Sequence, residues 1–145
     1  MKREFNKIIV PIDGSTVAKK AAKKALYLAK ATGLKIMVIH VIEIPYMPSV
    51  FENTDEIPYM EVMELMKQQG KKFIKQIENL AKKRDVAIEG KIIEGHPAEE
   101  IIKMATKNDL IILGRKGMTA LDRIFLGSVT ENVSHHAPCP VMIVN

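Results

Sequence analysis

Lys7-Ile8-Ile9-Val10-Pro11-Ile12-Asp13-Gly14-Ser15-Thr16 carries the first strong signal for the architecture of the chain. Six residues, nearly all apolar and mostly β-branched, run without polar alternation, as in a parallel strand buried on both faces. Asp13-Gly14 then supplies turn chemistry and Ser15-Thr16 supplies capping chemistry. Ala21, Ala22, Ala25, Leu28 and Ala29 follow at helical spacing, so a helix over 17–31 is expected to stop before Gly33. A buried strand followed at once by a covering helix is the first half of a βαβ unit.

The same alternation continues outward. Lys35 to Ile42 reads as a second buried strand, and Glu43 to Pro58, with three prolines, reads as a long loop of unassigned role. From Met60 to Arg84 the apolar residues Met63, Met66, Phe73, Ile74, Ile77, Leu80 and Ala81 recur at three and four, with Gly70 as a candidate kink. Val86 to Ile93 is a more polar strand of edge character. Gly95-His96-Pro97 leads into a third helix with Pro97 at its first position, Asp109 to Gly114 is a fourth strand, residues 128–136 are a fourth helix, and Val141 to Val144 are a fifth strand. The expected fold is α/β: one open, mostly parallel five-stranded sheet with helices on both faces, forming a single domain over residues 1–145.

Composition agrees. A chain of 145 residues with 47% hydrophobic and 27% charged content is long enough for one core and too apolar for disorder. No stretch has the length of a membrane span, and Met1 to Phe5 leads into strand-like sequence without a signal-peptide apolar region, so a cytoplasmic location and no membrane partner are expected. The net charge of +5 comes with lysines such as Lys19, Lys20, Lys23 and Lys24, spaced between the apolar positions of helices. That is the pattern of solvated helix faces, so no nucleic-acid partner is expected.

Ligands of open parallel sheets bind beyond the carboxyl ends of the strands, where strand order reverses. Strand one ends in Asp13-Gly14-Ser15. Strand four ends in Gly114-Arg115-Lys116-Gly117, followed by nine residues and then Gly127-Ser128. If both ends serve one ligand, strands one and four are neighbours, which favours the order 3-2-1-4-5. The segment from Gly114 to Thr130 has the features phosphate binding needs: glycines that admit an anion to backbone amides, a helix N-terminus, and the cations Arg115 and Lys116. An ordinary strand-to-helix loop is the competing reading, with Ser128 and Glu131 forming a capping box on their own helix. Neither Gly-x-x-x-x-Gly-Lys-Ser/Thr nor Gly-x-Gly-x-x-Gly after the first strand occurs.

Gly-x2-Gly-x9-Gly-Ser, in Gly114, Gly117, Gly127 and Ser128, resembles the signature of the ATP-binding branch of the universal stress protein family. Ile9 to Ser15, Gly95-His96-Pro97 and Pro138-Cys139-Pro140-Val141 extend the likeness along the whole chain. The resemblance implies a Rossmann-like, adenine nucleotide alpha-hydrolase-like fold and a regulatory module holding ATP, with Mg or Mn. A slow ATPase using the same site is the alternative. It implies that Pro11 and Asp13 lie against the nucleoside, with Asp13 near ribose or the metal. Val41 would meet adenine through its backbone, and Gly114, Arg115, Lys116, Gly117, Gly127, Ser128, Val129 and Thr130 would hold the phosphates. It also implies a stress-response role through a downstream protein, and a homodimer through Val141, Met142, Ile143 and Val144, whose apolar edge is itself a template for pairing.

The remaining candidates read as structural. His135 and His136 lie about 10 Å beyond the helix end that would face phosphate. His96 belongs to a strand about 10 Å from strand one. His40 reads as a core or interface residue. Cys139, the single cysteine, shows no neighbouring charge that would activate it, and the methionines read as adaptable packing.

Overall fold

The computed structural model describes residues 3–43, 57–116 and 125–145. Five strands and four helices alternate: β1 (Lys7–Pro11), α1 (Thr16–Thr32), β2 (Lys35–Ile42), α2 (Ile57–Lys83), β3 (Ile88–Glu94), α3 (Pro97–Met104), β4 (Leu110–Gly114), α4 (Ser128–His136) and β5 (Val141–Val144). All pairings are parallel and the order is β3-β2-β1-β4-β5. The expected order is therefore the observed one, with β1 and β4 side by side.

Strand alternation divides the core between two helical layers. Ile8, Val10, Ile12, Ile36, Val38 and Ile112 face α1 and α2, where they meet Ala21, Ala25, Leu26, Ile74 and Ile77. Ile9, Ile39, Ile111 and Leu113 face α3 and α4, packing on Ile101 and Val133. Ile8, Ile9, Ile39, Ile111 and Ile112 are fully buried. At about 1.5–3 kcal/mol for each such side chain, the three central strands carry much of the stabilisation. The alanine stripe of α1 has a packing reason, because small side chains let the helix axis lie close over β1 and β4.

Details of the boundaries differ from expectation. Helix α2 begins at Ile57, so Pro58 lies in its first turn, where a missing amide costs nothing, and it runs unbroken through Gly70. Strand β3 starts at Ile88 instead of Val86, since the Val86 amide is still occupied by the Ala81 carbonyl in the turn closing α2. The loop expected over Glu43 to Pro58 lies, apart from Glu43, Ile57 and Pro58, outside the described residues. No described helix is long and apolar enough to cross a membrane.

Beneath β4, Asp109 is almost wholly buried, and its Oδ2 accepts from the Thr106 amide (2.8 Å) and hydroxyl (3.0 Å), with Lys7 Nζ at 3.7 Å. This carboxylate fixes the turn that enters β4. It lies at the opposite end of that strand from Gly114.

Candidate functional site

The carboxyl ends of β1 and β4 adjoin, and the segments leaving them interlock. After β1, Asp13 Oδ1 accepts from the Ser15 amide (2.9 Å), and Ser15 Oγ in turn accepts from the Ala18 amide (3.1 Å), capping α1. Gly14 between them has φ +84°, a left-handed conformation that side-chain-bearing residues rarely adopt, and a Cβ there would overlap the Phe73 ring from α2. Asp13 is thus held in a fixed turn, half-buried, at the end of β1.

At the end of β4, a Cβ on Gly114 would lie 2.7 Å from Val17 Cγ1, 3.2 Å from the Val17 carbonyl carbon and 3.3 Å from the Ala18 nitrogen. This glycine is accounted for by helix packing, because the first turn of α1 passes directly over it. The Arg115 amide then donates to the Val144 carbonyl (2.8 Å), and the Arg115 carbonyl accepts from the Gly127 amide (2.9 Å). These two bonds tie the start and the finish of the segment to the sheet. Lys116 follows, half-buried, and Gly117 lies outside the described residues.

Helix α4 starts against that tie. Its N-cap is Gly127, at φ −61° and ψ 151°, and no side chain caps it. The expected capping box is therefore not formed: Ser128 is the first helical residue instead of the cap, so its hydroxyl is not spent on a backbone amide as a cap would be. Thr130 is buried and donates its hydroxyl to the Gly114 carbonyl (2.7 Å), locking the first turn of α4 to the end of β4. Val129 turns its side chain toward the α3–α4 core, leaving its amide as the group available to a ligand. The first amides of a helix, with the partial positive charge of its N-terminus, are groups of the kind that can receive an anion.

Pro11 is the last residue of β1, in register with Ile39 of β2, and Val41 lies two residues further along β2, half-buried. The structure therefore gathers Pro11, Asp13, Gly114, Arg115, Gly127, Ser128 and Thr130 around the junction of β1 and β4, with Val41 on the adjacent strand. Among the described residues no cluster of three or more His, Cys, Asp or Glu could hold a metal ion.

The other histidines stand apart. His96 is the N-cap of α3, exposed and without a side-chain capping bond, while His135 and His136 occupy the last turn of α4 and face solvent. Cys139 does have a charged neighbour, contrary to expectation, but the charge is negative. Burial first, and then Asp109, push its thiol above the ordinary value, against a smaller lowering by a hydrogen bond with the Ile111 backbone. Such a thiol is poorly nucleophilic.

Sequence reasoning missed the role of His40 and Phe73. His40 Nδ1 is 2.9 Å from the Ile12 carbonyl, and its ring meets Phe73 edge to face at 5.3 Å. A signal was present in Gly70: a glycine inside a helix costs about 1 kcal/mol against alanine and calls for a packing reason. Here a Cβ would sit 2.7 Å from His40 Cδ2.

A sequence profile of the Universal stress protein family matches residues 4–145. A universal stress protein of Methanocaldococcus jannaschii is 38% identical over 143 residues, covering 97% of this chain and 82% of that protein. Among solved structures, universal stress protein UspA from Lactobacillus plantarum superposes with a TM-score of 0.86 at 24% identity, each chain covered in full. The universal stress protein from Archaeoglobus fulgidus in complex with dAMP gives 0.63 at 20% identity, over 97% of this chain and 98% of that one. With matched residues running from the first strand to the last and the fold shared throughout, this chain belongs to the universal stress protein family.

Proposed function

We propose that this chain is a nucleotide-binding regulatory module that holds ATP at the carboxyl ends of β1 and β4. The observation that carries the reading is the start of α4, which no side chain caps and which is tied to the end of β4 by the Gly127–Arg115 and Thr130–Gly114 bonds. In this reading the amides of Ser128, Val129 and Thr130 receive the phosphates, Gly127 gives the close backbone approach, and Arg115, Lys116 and Gly117 complete their surroundings. Pro11 and Asp13 lie against the ribose, and the Val41 backbone meets adenine. The dAMP complex of the Archaeoglobus relative supports an adenine nucleotide as the ligand class.

A divalent cation, Mg or Mn, would accompany the phosphates in this reading, with Asp13, the carboxylate at the end of β1 among the described residues, as a group that can join its coordination. The cation would neutralise phosphate charge, while the chain's own residues bind and orient the nucleotide. We further propose that the protein acts in the cytoplasm as a homodimer through β5, in a stress response where a downstream protein reads nucleotide occupancy.

The test is direct. Small molecules released by denaturing the purified protein are identified by mass spectrometry, and ATP and AMP are titrated calorimetrically into the nucleotide-free form. Recovery of an adenine nucleotide, or saturable binding that Gly127→Val removes, is the expected result. No nucleotide in the sample and no heat of binding with either ligand would overturn it.

A further inference from the structure

The pairing of β1 with β2 ends in an unusual way, and the ending bears on base recognition. The Ile12 amide, one residue beyond β1, still donates to the Ile39 carbonyl at 2.8 Å. A continued parallel ladder would next give the Ile12 carbonyl the amide of Val41. That carbonyl instead meets the His40 ring at 2.9 Å. A carbonyl can only accept, so Nδ1 carries the proton.

The alternation of β2 settles which way Val41 faces. The Ile39 carbonyl points to β1, whereas the Ile42 carbonyl accepts from the Gly95 amide (3.0 Å) on the β3 side. Val41, two residues beyond Ile39, therefore directs its amide and carbonyl toward β1, past the end of that strand and into the crevice.

The histidine is held in place from the other side. Its ring packs edge to face on Phe73, at 77° between planes, and Gly70 clears the space beside Cδ2. Phe73 also covers Gly14, next to Asp13. Helix α2, strand β2 and the loop after β1 are thus fastened together by one imidazole and one phenyl ring.

We propose that His40 is a positioning residue for nucleotide base selection: by taking the Ile12 carbonyl, it leaves the Val41 amide and carbonyl as a donor–acceptor pair for the adenine edge. Adenine offers an acceptor at N1 beside a donor at N6, which this pair matches. Guanine offers the reverse, an acceptor at O6 beside a donor at N1. The proposal rests on the nucleotide site described above and adds to it the residue that shapes its base-reading side.

The experiment compares wild type with His40→Leu, His40→Asn and His40→Gln, titrating ATP, adenosine, GTP and inorganic triphosphate, with thermal unfolding as the measure of folding. His40→Leu is expected to weaken ATP and adenosine alike, by about tenfold for one well-placed hydrogen bond, and to narrow the preference for ATP over GTP. Triphosphate binding should not change. His40→Asn, whose amide nitrogen matches the position of Nδ1, should restore affinity and preference, while His40→Gln, one bond longer, should not. Folded His40→Leu with wild-type affinity and preference overturns the proposal, as does an equal loss for all four ligands, which marks a general structural role. If His40→Leu does not fold, the Asn and Gln variants decide, and identical behaviour of the two overturns it. A wild type that binds triphosphate but neither ATP nor adenosine overturns this proposal on its base side, and one that binds none of the four removes the site itself.

Discussion

The hydroxyl of Thr130 donates to the carbonyl of Gly114 at 2.7 Å, joining residues sixteen apart in the chain across the mouth of the candidate site. Gly114 ends β4 and Thr130 lies in the first turn of α4, so this bond sets the distance between the last sheet residue and the helix N-terminus. Thr130→Val keeps the shape and removes the donor. It is expected to destabilise the fold by about 1 kcal/mol, because the part-buried carbonyl loses its partner, and also to weaken ATP binding. Thr130→Ser should recover most of both, as measured by chemical denaturation and calorimetry.

The glycines of the motif are expected to separate by mechanism. Gly114→Ala forces a methyl against Val17 and the backbone of α1, and overpacking of this kind costs about 1–3 kcal/mol. Gly127 has φ −61° and ψ 151°, a backbone conformation open to other residues. Gly127→Val should therefore cost only the N-cap difference between glycine and valine, about 1 kcal/mol, and keep the fold while removing nucleotide affinity. If Gly127→Val is folded and binds ATP as wild type does, the phosphate role of this helix start is wrong.

These two glycines also mark how far the sequence could be read. Strand order followed from one argument, that the two loops at Asp13 and Gly114 serve one ligand only if β1 and β4 are neighbours. Buried apolar runs such as Lys35 to Ile42 were legible because a parallel strand covered on both faces needs no polar alternation. The purpose of Gly114 was not legible, since its constraint comes from Val17, nearly a hundred residues earlier in the chain. The same holds for His40. A histidine in a strand says nothing of the carbonyl it meets, here that of Ile12, one residue beyond the end of β1. Ser128 misled for a local reason: Ser-x-x-Glu fits a capping box, but the chain turns into the helix one residue earlier, at Gly127, which supplies no cap of its own.

The raised Cys139 thiol gives a pH expectation. A folded-state value above the unfolded one means that the unfolded chain ionises first as pH rises, so this group subtracts stability only in alkaline solution, from about pH 9 upward, and leaves it unaffected at neutral pH. Alkylation at pH 8 should be slower in the native protein than in the denatured one. Cys139→Ser should flatten the alkaline decline in melting temperature, and equal alkylation rates in both states would contradict this reading.

Strand β5 closes one side of the sheet, with Met142 and Ile143 more than one-third exposed. An apolar edge with unpaired backbone groups favours antiparallel pairing with a second copy about a two-fold axis. A dimer is expected in sedimentation at tens of micromolar, roughly a range where stable dimers persist. Ile143→Lys, placing a charge on that edge, should yield a monomer with unchanged circular dichroism. A wild-type monomer at that concentration would remove the dimer from the proposal.

Hydrolysis of bound ATP is expected to be slow. A competent hydrolase places a base or a water-orienting group within about 3 Å of the attacking water, with cations to neutralise the transition state. Among the described residues at the site, Asp13 is the carboxylate at the end of β1, and its Oδ1 already accepts from the Ser15 amide at 2.9 Å. That bond holds the carboxylate in the turn, suited to ribose or a phosphate-bound cation, without aiming it at a water. His135 and His136 lie in the last turn of α4, at the opposite end from the Gly127 cap, and His96 caps α3 beyond the edge strand β3. Arg115 and Lys116 bring donors that stabilise charge and no acceptor that would orient a water for attack. Single-turnover measurements with labelled ATP are therefore expected to show conversion far below the roughly 1 s⁻¹ at the lower end of ordinary enzymes. Asp13→Ala should weaken nucleotide binding and leave the slow rate per bound ATP nearly unchanged. Turnover above that limit which Asp13→Ala abolishes while ATP still binds would make Asp13 a catalytic residue and the protein an ATPase.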